Sequence, residues 1–453
     1  MWCSPEPAAS LPMPVFARAL RTCLALTCSV GASLAHSGPA RAEAESTPIH
    51  VAELLRNPDA LRARIERKSH VFGAAQARVA QANAETRSAK LYLNPVVDAS
   101  LSSVAINGSP ALADSVWNAG VSETWELGKR GPRRAAAELH AGATRKEREQ
   151  TLLDQLSLAR RSLAEVLFLN LRSATLDEAY LSAERGAELE RVRYEQKALS
   201  GVDYDRLLLD LAIQRAELAR SRAEARAALA SCTAVLLGEC DLEGAEERDL
   251  EVALQVPQLD TETALSRRPD LQALALESDS ARRSAELASR RAIPDVTLRL
   301  GYQRDNSLPP SSARDSVSLG VSMPLALADR GQHDAARALA RADELTELRA
   351  AATLDSRAAL RGLSERQLTI SQTLIHLEQE SLPLAKSVLE SSQRAFDNGG
   401  VSLTDLLLAR RNYVALRLTL LERRFELFTV QNDLIHELGV QPAHEPTPNL
   451  QRP

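Results

Sequence analysis

Apolar and polar residues alternate one by one in two pairs of segments along this chain. The second pair, residues 295–304 and 316–325, places six apolar side chains on one side of the chain: Val296, Leu298, Leu300, Val317, Leu319 and Val321. The first pair, residues 96–106 and 115–127, follows the same pattern. Because side chains of a β-strand point alternately to its two faces, each segment is predicted to be a strand with one apolar and one polar face.

The length of these segments bears on where they lie. About ten alternating residues are enough for a tilted strand to cross a bilayer. Trp117 and Trp125 share one face of a predicted strand, about 20 Å apart along the membrane normal, which fits two aromatic girdles. Glu123 lies between them on that face. Two interpretations stay open: strands whose apolar face contacts lipid, and a half-buried hairpin of a soluble protein.

A very long helix is predicted after each pair of strands. Residues 133–199 contain no proline and residues 332–398 contain only Pro383. Both stretches are rich in Ala, Leu, Arg and Glu, which favour helices, and their apolar residues recur at spacings of three and four, as in coiled coils. Each helix would extend about 100 Å, which is too long for a compact core and suits a stalk, bundle or tube.

The two halves of the chain repeat one another. Gly201-Val202 recurs as Gly400-Val401, and Leu237-Gly238 recurs as Leu438-Gly439. A period of about 200 residues is far longer than a solenoid unit, so it indicates a duplicated unit of two strands, a long helix and a shorter helix. In each unit the long helix is expected to reverse into the short one at Gly201 or Gly400, with positive φ at that glycine.

This repeat gives the expected domain organisation. Residues 1–42 are predicted to be a signal peptide, with a short apolar stretch and cleavage either after Ala42 or near Ala35. The first repeat covers 43–245, with strands at about 94–127 and helices at about 133–237. The second repeat covers 246–440, with strands at about 295–325 and helices at about 332–438, and residues 441–453 form a C-terminal tail.

Composition and motifs do not point to an enzyme or to nucleic-acid binding. The net charge is −5 and aromatic residues make up 3% of the chain, without a basic stripe. The histidines are scattered, and the sequence has no zinc-ligand spacing, glycine-rich phosphate loop or nucleophile elbow. We therefore expect no catalytic residue, no cofactor, no metal site and no nucleic-acid partner.

Two further groups of residues allow two interpretations each. Cys232 and Cys240 either form a disulfide in an oxidising compartment or remain separate thiols. Asp203, Asp205 and Asp405 lie beside the predicted helix turns, where they either cap the helices or charge a narrow passage.

Several segments resemble the outer-membrane efflux protein family, the TolC-like channels. They are RRPDLQALALES (267–278), AIPDVTLRLGY (292–302) and FDNGGVSLTDLLLARRNYV (396–414). A fourth segment, WELGKRGPRR (125–134), resembles the heavy-metal branch of that family, the cobalt–zinc–cadmium type. The resemblance extends over nearly the whole chain after the signal peptide.

The resemblance implies a mainly α fold with membrane β-strands. Three chains would form a homotrimer in which four strands from each close a twelve-stranded β-barrel, joined to an α-helical barrel of long and short coiled-coil helices. Such a protein is a passive exit duct in the outer membrane of a Gram-negative bacterium. It exports metal ions or small toxic molecules for an inner-membrane pump of the RND type, through a periplasmic adaptor (membrane fusion) protein.

The resemblance also implies roles for the helix turns. They would form the periplasmic tip where the adaptor docks, at Gly201, Val202, Gly399, Gly400 and Val401. The acids Asp203, Asp205 and Asp405 are aperture candidates, although Leu408 stands where some members carry a second acid and the repeat aligns Asp205 with Thr404. The alternative function is an exported coiled-coil scaffold or periplasmic adaptor without a membrane barrel.

Overall fold

The computed structural model describes residues 49–103, 115–251, 254, 256–257, 259–306, 308 and 311–440. All of them belong to one structural unit, Pro48–Pro453. The predicted signal peptide, the C-terminal tail and residues 104–114, between the first pair of predicted strands, lie outside the described residues.

The first repeat consists of short N-terminal helices, two strands and a long helical hairpin. Its elements are β1 (Ile49–His50), α1 (Val51–Arg56), α2 (Pro58–Lys68), α3 (His70–Ala89), β2 (Val96–Ser103), β3 (Ser115–Trp125), α4 (Arg130–Glu195), α5 (Gly201–Leu236) and β4 (Cys240–Asp241). Helix α4 has 66 residues, which corresponds to a length of about 100 Å.

The second repeat likewise has short helices, then two long strands, then a long helical hairpin. Its elements are α6 (Arg248–Glu251), α7 (Thr261–Arg267), α8 (Pro269–Ser289), a 3₁₀ turn (Arg290–Ala292), β5 (Val296–Asp305), β6 (Asp315–Ser322), α9 (Gln332–His376), a π-helical turn (Leu377–Ser381), α10 (Leu382–Asp397) and α11 (Leu403–Glu437). The π turn precedes Pro383, which has no N–H for the carbonyl of Gln379, so the predicted single helix is interrupted there.

The four long strands form one antiparallel sheet in the order β2-β3-β5-β6. The pairing of β3 with β5 joins the two repeats, with Val121 opposite Leu300 and Gly120 opposite Gly301. Strands β2 and β6 are the two edges. A separate parallel pair, β1 with β4, fastens the N-terminal segment to the end of the first hairpin.

The helices bury their apolar stripes against one another. The largest core contains Leu156, Leu163 and Leu167 of α4 together with Phe428 and Ile435 of α11. A second core joins α7, α8 and α9 to α11, and a small third core lies between the ends of the two hairpins. Apolar side chains at three- and four-residue spacing therefore pack as the sequence pattern predicts.

The segment resembling the heavy-metal branch forms the junction between sheet and helices. Gly128 adopts φ of 74°, and Lys129 forms an ion pair with Asp295 at 2.8 Å. Arg133 bonds Glu126 at 2.6 Å, while Arg130 donates to the carbonyl of Lys90 at the end of α3. Cationic side chains suit the free carbonyls of a helix C-terminus, so this segment has a structural role in joining the elements.

The corresponding junction of the second repeat depends on one glycine. Gly331 immediately precedes α9 with φ of 77°, and a Cβ atom there would lie 2.0 Å from the carbonyl oxygen of Ala288. Its N–H donates to Asp329 at 2.8 Å. The backbone of the strand-to-helix turn thus touches the end of α8 directly, an approach that a side chain would prevent.

Candidate functional site

One face of the sheet is mainly apolar and exposed; the ion pair of Arg304 and Asp315 lies on it at the end away from the helices. The register places residues of all four strands side by side on this face, namely Val97, Leu101, Trp117, Val121, Trp125, Leu298, Leu300, Tyr302, Val317, Leu319 and Val321. Leu319 is 79% exposed and Val317 is 74% exposed. Val296 is opposite Trp125 on the same face. Nothing within the described residues covers this apolar surface.

The opposite face of the sheet is polar except for Val96 and Val116. It carries small and hydrophilic residues, namely Asp98, Ser100, Asn118, Gly120, Ser122, Thr297, Arg299, Gly301, Gln303, Ser318 and Gly320. Thr124 and Thr297 share a hydrogen bond of 2.9 Å between their hydroxyls. A sheet with this division suits an apolar medium on one side and water on the other.

The two predicted girdle tryptophans lie near the two ends of β3. Trp117 and Trp125 are both about half exposed on the apolar face, and the indole of Trp117 donates to the hydroxyl of Ser115 at 3.1 Å. Glu123 is exposed on the same face, opposite Leu298. It therefore remains the one acidic residue on this face of β3.

At both hairpin ends a turn of the same type is followed by a helix N-cap. After α4, Lys197 has φ of 60° and the N–H of Ala198 bonds the carbonyl of Arg193 at 2.8 Å. After α10, Gly399 has φ of 73° and the N–H of Gly400 bonds the carbonyl of Ala395 at 2.7 Å. These bonds define Schellman turns. Positive φ at Gly201 and Gly400 is therefore a wrong expectation.

The caps that follow correct the predicted alignment of the two repeats at the tip. Ser200 is the N-cap of α5 and Ser402 is the N-cap of α11. Asp203 and Asp405 are thus structural counterparts, each three residues after its serine. The repeated Gly-Val pairs suggested another register, because Gly201-Val202 lies in the first turn of α5 whereas Gly400-Val401 lies in the loop before α11.

The acids at the tip have different environments. Asp405 completes a capping box, since its N–H donates to the Ser402 hydroxyl at 3.2 Å and its carboxylate accepts from the Ser402 N–H at 3.2 Å. The N–H of Asp203 likewise donates to the Ser200 hydroxyl, at 3.1 Å. Asp205 is exposed. Capping therefore accounts for Asp203 and Asp405 within a single chain.

Sequence reasoning missed a charged contact between the two hairpins. Asp210 of α5 is buried and accepts hydrogen bonds from Arg411 of α11 at 2.5 Å and from Gln214 at 2.6 Å. Burial lowers the pKa of the neighbouring Arg410, against the opposing charge of Asp210. A Cβ at Gly186 would lie 3.5 Å from Nη1 of Arg410, an ordinary van der Waals distance, so α4 packs directly beside this guanidinium.

The two cysteines are joined. Cys232, near the end of α5, and Cys240 of β4 form a disulfide with Cα atoms 6.2 Å apart. Both are buried in the largest core. The bond links the end of α5 to the strand that pairs with β1.

The RRPD segment holds the two ends of the second repeat together. Arg268 binds Asp270 through two hydrogen bonds of 2.8 and 3.0 Å and also forms an ion pair with Glu437 at the end of α11. Burial disfavours the charged forms of Arg268 and Asp270. Their mutual hydrogen bonds and charges nevertheless dominate, raising the pKa of Arg268 and lowering that of Asp270. The motif is thus a structural ion-pair network.

Only one group among the described residues has ligand atoms at metal-binding distances. His50 of β1, Asp241 of β4 and Glu243 place their ligand atoms within 4.8 Å of one another. Asp241 already accepts a hydrogen bond from the N–H of Glu243 at 3.1 Å. The sequence did not suggest this group, because His50 is far along the chain from Asp241 and Glu243.

No helix in the described part of the chain is long and apolar enough to cross a membrane.

A family model described as "Outer membrane efflux protein" matches residues 261–440. Solved outer-membrane channels share the fold over most of both chains. CusC, reported in structures on conformational changes accompanying folding and transmembrane channel formation, matches with a TM-score of 0.74 and 15% identity, over 87% of this chain and 94% of its own. VceC of Vibrio cholerae matches with a TM-score of 0.70 and 18% identity, over 85% and 96%.

Residues 261–440 thus match the outer membrane efflux family model, and the chain has the fold of these channels. The predicted family resemblance and the mainly α fold with a strand sheet are confirmed. The chain is also 27% identical over 240 residues to the cobalt-zinc-cadmium resistance protein CzcC of Cupriavidus metallidurans, covering 52% of this chain and 56% of CzcC. The alignment therefore spans little more than half the length of that relative.

Proposed function

We propose that this protein is the outer-membrane channel of a tripartite efflux system. One observation carries the proposal: a four-stranded sheet with an exposed apolar face and a polar reverse face, attached to helical hairpins about 100 Å long. Lipid is the medium that suits the apolar face, and a water-filled lumen suits the polar face. A soluble scaffold or adaptor offers no reason for exposing Leu319 and Val317.

The proposal includes a homotrimer. Four strands leave β2 and β6 as open edges, which lipid does not tolerate because their backbone groups would lack hydrogen-bond partners. Three copies supply twelve strands, an even number that closes a barrel. The long helices support the same assembly, because α9 and α10 carry exposed apolar side chains that other copies could cover. These are Leu339, Leu348, Leu354, Leu368, Ile375, Leu384 and Val388.

The duct itself is passive in this proposal. An inner-membrane pump supplies energy and selects the substrate, and a periplasmic adaptor docks at the tip formed by the two hairpin ends. Similarity to CzcC and the segment at residues 125–134 favour metal ions as cargo over small organic molecules. The cargo passes through the duct without a resident metal or cofactor.

Fractionation and planar bilayers test the proposal together. We expect the purified full-length protein to remain in detergent-extracted outer membranes after a high-salt wash and to form ion-conducting pores. A scaffold washes off with salt and forms no pores, which would overturn the proposal. In the same bilayers, Asp405→Asn lowers cation preference if Asp405 lines the aperture; loss of thermal stability with unchanged selectivity leaves Asp405 as a cap alone.

The tip supplies a matched pair of variants. Gly400→Val should reduce efflux in cells with the matching pump, because its Cβ would lie 3.3 Å from the Ala395 carbonyl oxygen that closes the turn. Gly201→Val should retain efflux, since the nearest atom to its Cβ is a ring carbon of Tyr194 at 3.9 Å. Native gels should show trimers for both. Equal efflux by the two variants would contradict a tip that depends on the second turn.

A further inference from the structure

An ion pair lies across the polar face of the sheet and joins the two repeats. Nη2 of Arg299 on β5 is 2.5 Å from Oδ2 of Asp98 on β2. The two residues are not on neighbouring strands, because β3 runs between them. The contact is possible because the intervening residue is Gly120. A Cβ there would lie 3.0 Å from Oδ1 of Asp98 and 3.3 Å from Nε of Arg299.

The residues around this pair have short side chains or none. Asp98 is opposite Gly120, Gly120 is opposite Gly301, and Arg299 is opposite Gly320. The side chains of Arg299 and Asp98 are 55% and 37% exposed, so they remain open to the water on this face. These two charged side chains therefore extend beyond the glycine and serine residues that surround them.

The pair lies close to the helical end of the sheet. Asp98 is the third residue of β2 and Arg299 the fourth of β5, which puts them about 10 Å from the ends where α3 and α8 lead in. The other charged residue on the polar face of the described strands is Asp305, at the far end of β5. Near the helical end of the described strands, Asp98 and Arg299 are therefore the charged residues on the polar face.

We propose that Asp98 and Arg299 line the pore as a mutually neutralising pair, so that loss of either charge alone changes the ion selectivity of the pore. The inference rests on the trimeric channel proposed above, in which three such pairs would ring the lumen. Asp98 neutralises Arg299 and holds the guanidinium against the wall over Gly120. Without Asp98, three unpaired cations face the lumen and favour anions; without Arg299, three unpaired carboxylates favour cations.

The reversal potential in a salt gradient across planar bilayers measures this directly. Relative to the wild-type protein, Asp98→Asn should shift the anion-to-cation permeability ratio about two- to fivefold towards anions in 0.1 M salt, and Arg299→Gln by a similar factor towards cations. The double variant Asp98→Asn/Arg299→Gln should return near the wild-type value, because it carries neither charge.

The opposite directions of the two expected shifts distinguish an effect of charge on selectivity from a purely structural role of the ion pair. Either single substitution breaks the link between repeats, so a purely structural pair would shift both variants in the same direction or leave selectivity unchanged. Glu123→Gln is the matched control, since it removes a negative charge from the apolar face of the same sheet and should leave the reversal potential unchanged. A shift for Glu123→Gln as large as that for Asp98→Asn would also overturn the inference.

The same recordings distinguish the two proposals. Pores whose selectivity ignores both substitutions, or moves the same way in both, overturn the role of this pair and leave the channel function standing. A wild-type protein that forms no pores overturns the proposed function and this inference with it. If one single variant fails to assemble, the direction of the shift in the other single variant, measured against the double variant, still supports or overturns the inference.

Discussion

Gly331→Ala is expected to destabilise the protein by at least about 2 kcal/mol, because left-handed backbone alone costs a residue with a side chain about 1–2 kcal/mol. The overlap adds to this cost, since the new Cβ would lie 2.0 Å from the Ala288 carbonyl oxygen and 2.9 Å from its carbon. A backbone group at the end of a helix cannot turn aside as a flexible side chain can. The temperature at which circular dichroism reports loss of helix should fall clearly.

Gly362→Ala is the control for this substitution. Gly362 lies inside α9, the helix that Gly331 precedes, and nothing comes within 4 Å of a Cβ built there. Alanine in a helix interior is about 0.5–1 kcal/mol more favourable than glycine, so this variant should melt at the same or a higher temperature. Equal stability of the two variants would contradict the direct approach of this turn to α8.

Leu319→Arg is expected to destabilise the membrane-inserted state by about 2–4 kcal/mol if the residue lies near mid-bilayer. Leu319 is opposite Leu300 in the register, and both lie on the exposed apolar face. Arginine there would place a charge in hydrocarbon. The urea concentration needed to unfold the protein in lipid vesicles should fall, and less protein should reach the outer membrane.

Ser318→Arg is the neighbouring control. Ser318 points to the opposite, polar face, opposite Gly301, where an added charge meets water in the proposed lumen. It should therefore assemble like the wild-type protein. If arginine were tolerated equally at 318 and 319, the assignment of the apolar face to lipid would be wrong.

The sequence predicts the local elements well because they depend on periodicity. Alternation of period two gives β5 and β6, and spacing of three and four gives the long helices, since each element must place its apolar residues on one side. Pro383 is visible in the sequence, but the π turn before it depends on how the surrounding helix absorbs the missing hydrogen bond.

The tip shows where sequence matching failed. The identical Gly-Val pairs suggested one register, whereas the caps at Ser200 and Ser402 define another. Turns are set by backbone geometry, and Lys197 takes the positive φ in the first tip that Gly399 takes in the second. Two different residues thus occupy equivalent positions, and an alignment of the two repeat sequences does not reveal this.

By itself, the sequence determined the duplicated order of strands and long helices, the two-faced strands and the family resemblance, because each follows from neighbours along the chain. Only the tertiary structure decided the contacts between distant residues. It joined Asp98 to Arg299 over Gly120 and Asp210 to Arg411, and it decided between the two interpretations of Cys232 and Cys240 in favour of a disulfide. The physical reason is that strand register and helix packing bring these groups together, and neither is encoded in the spacing of the residues that meet.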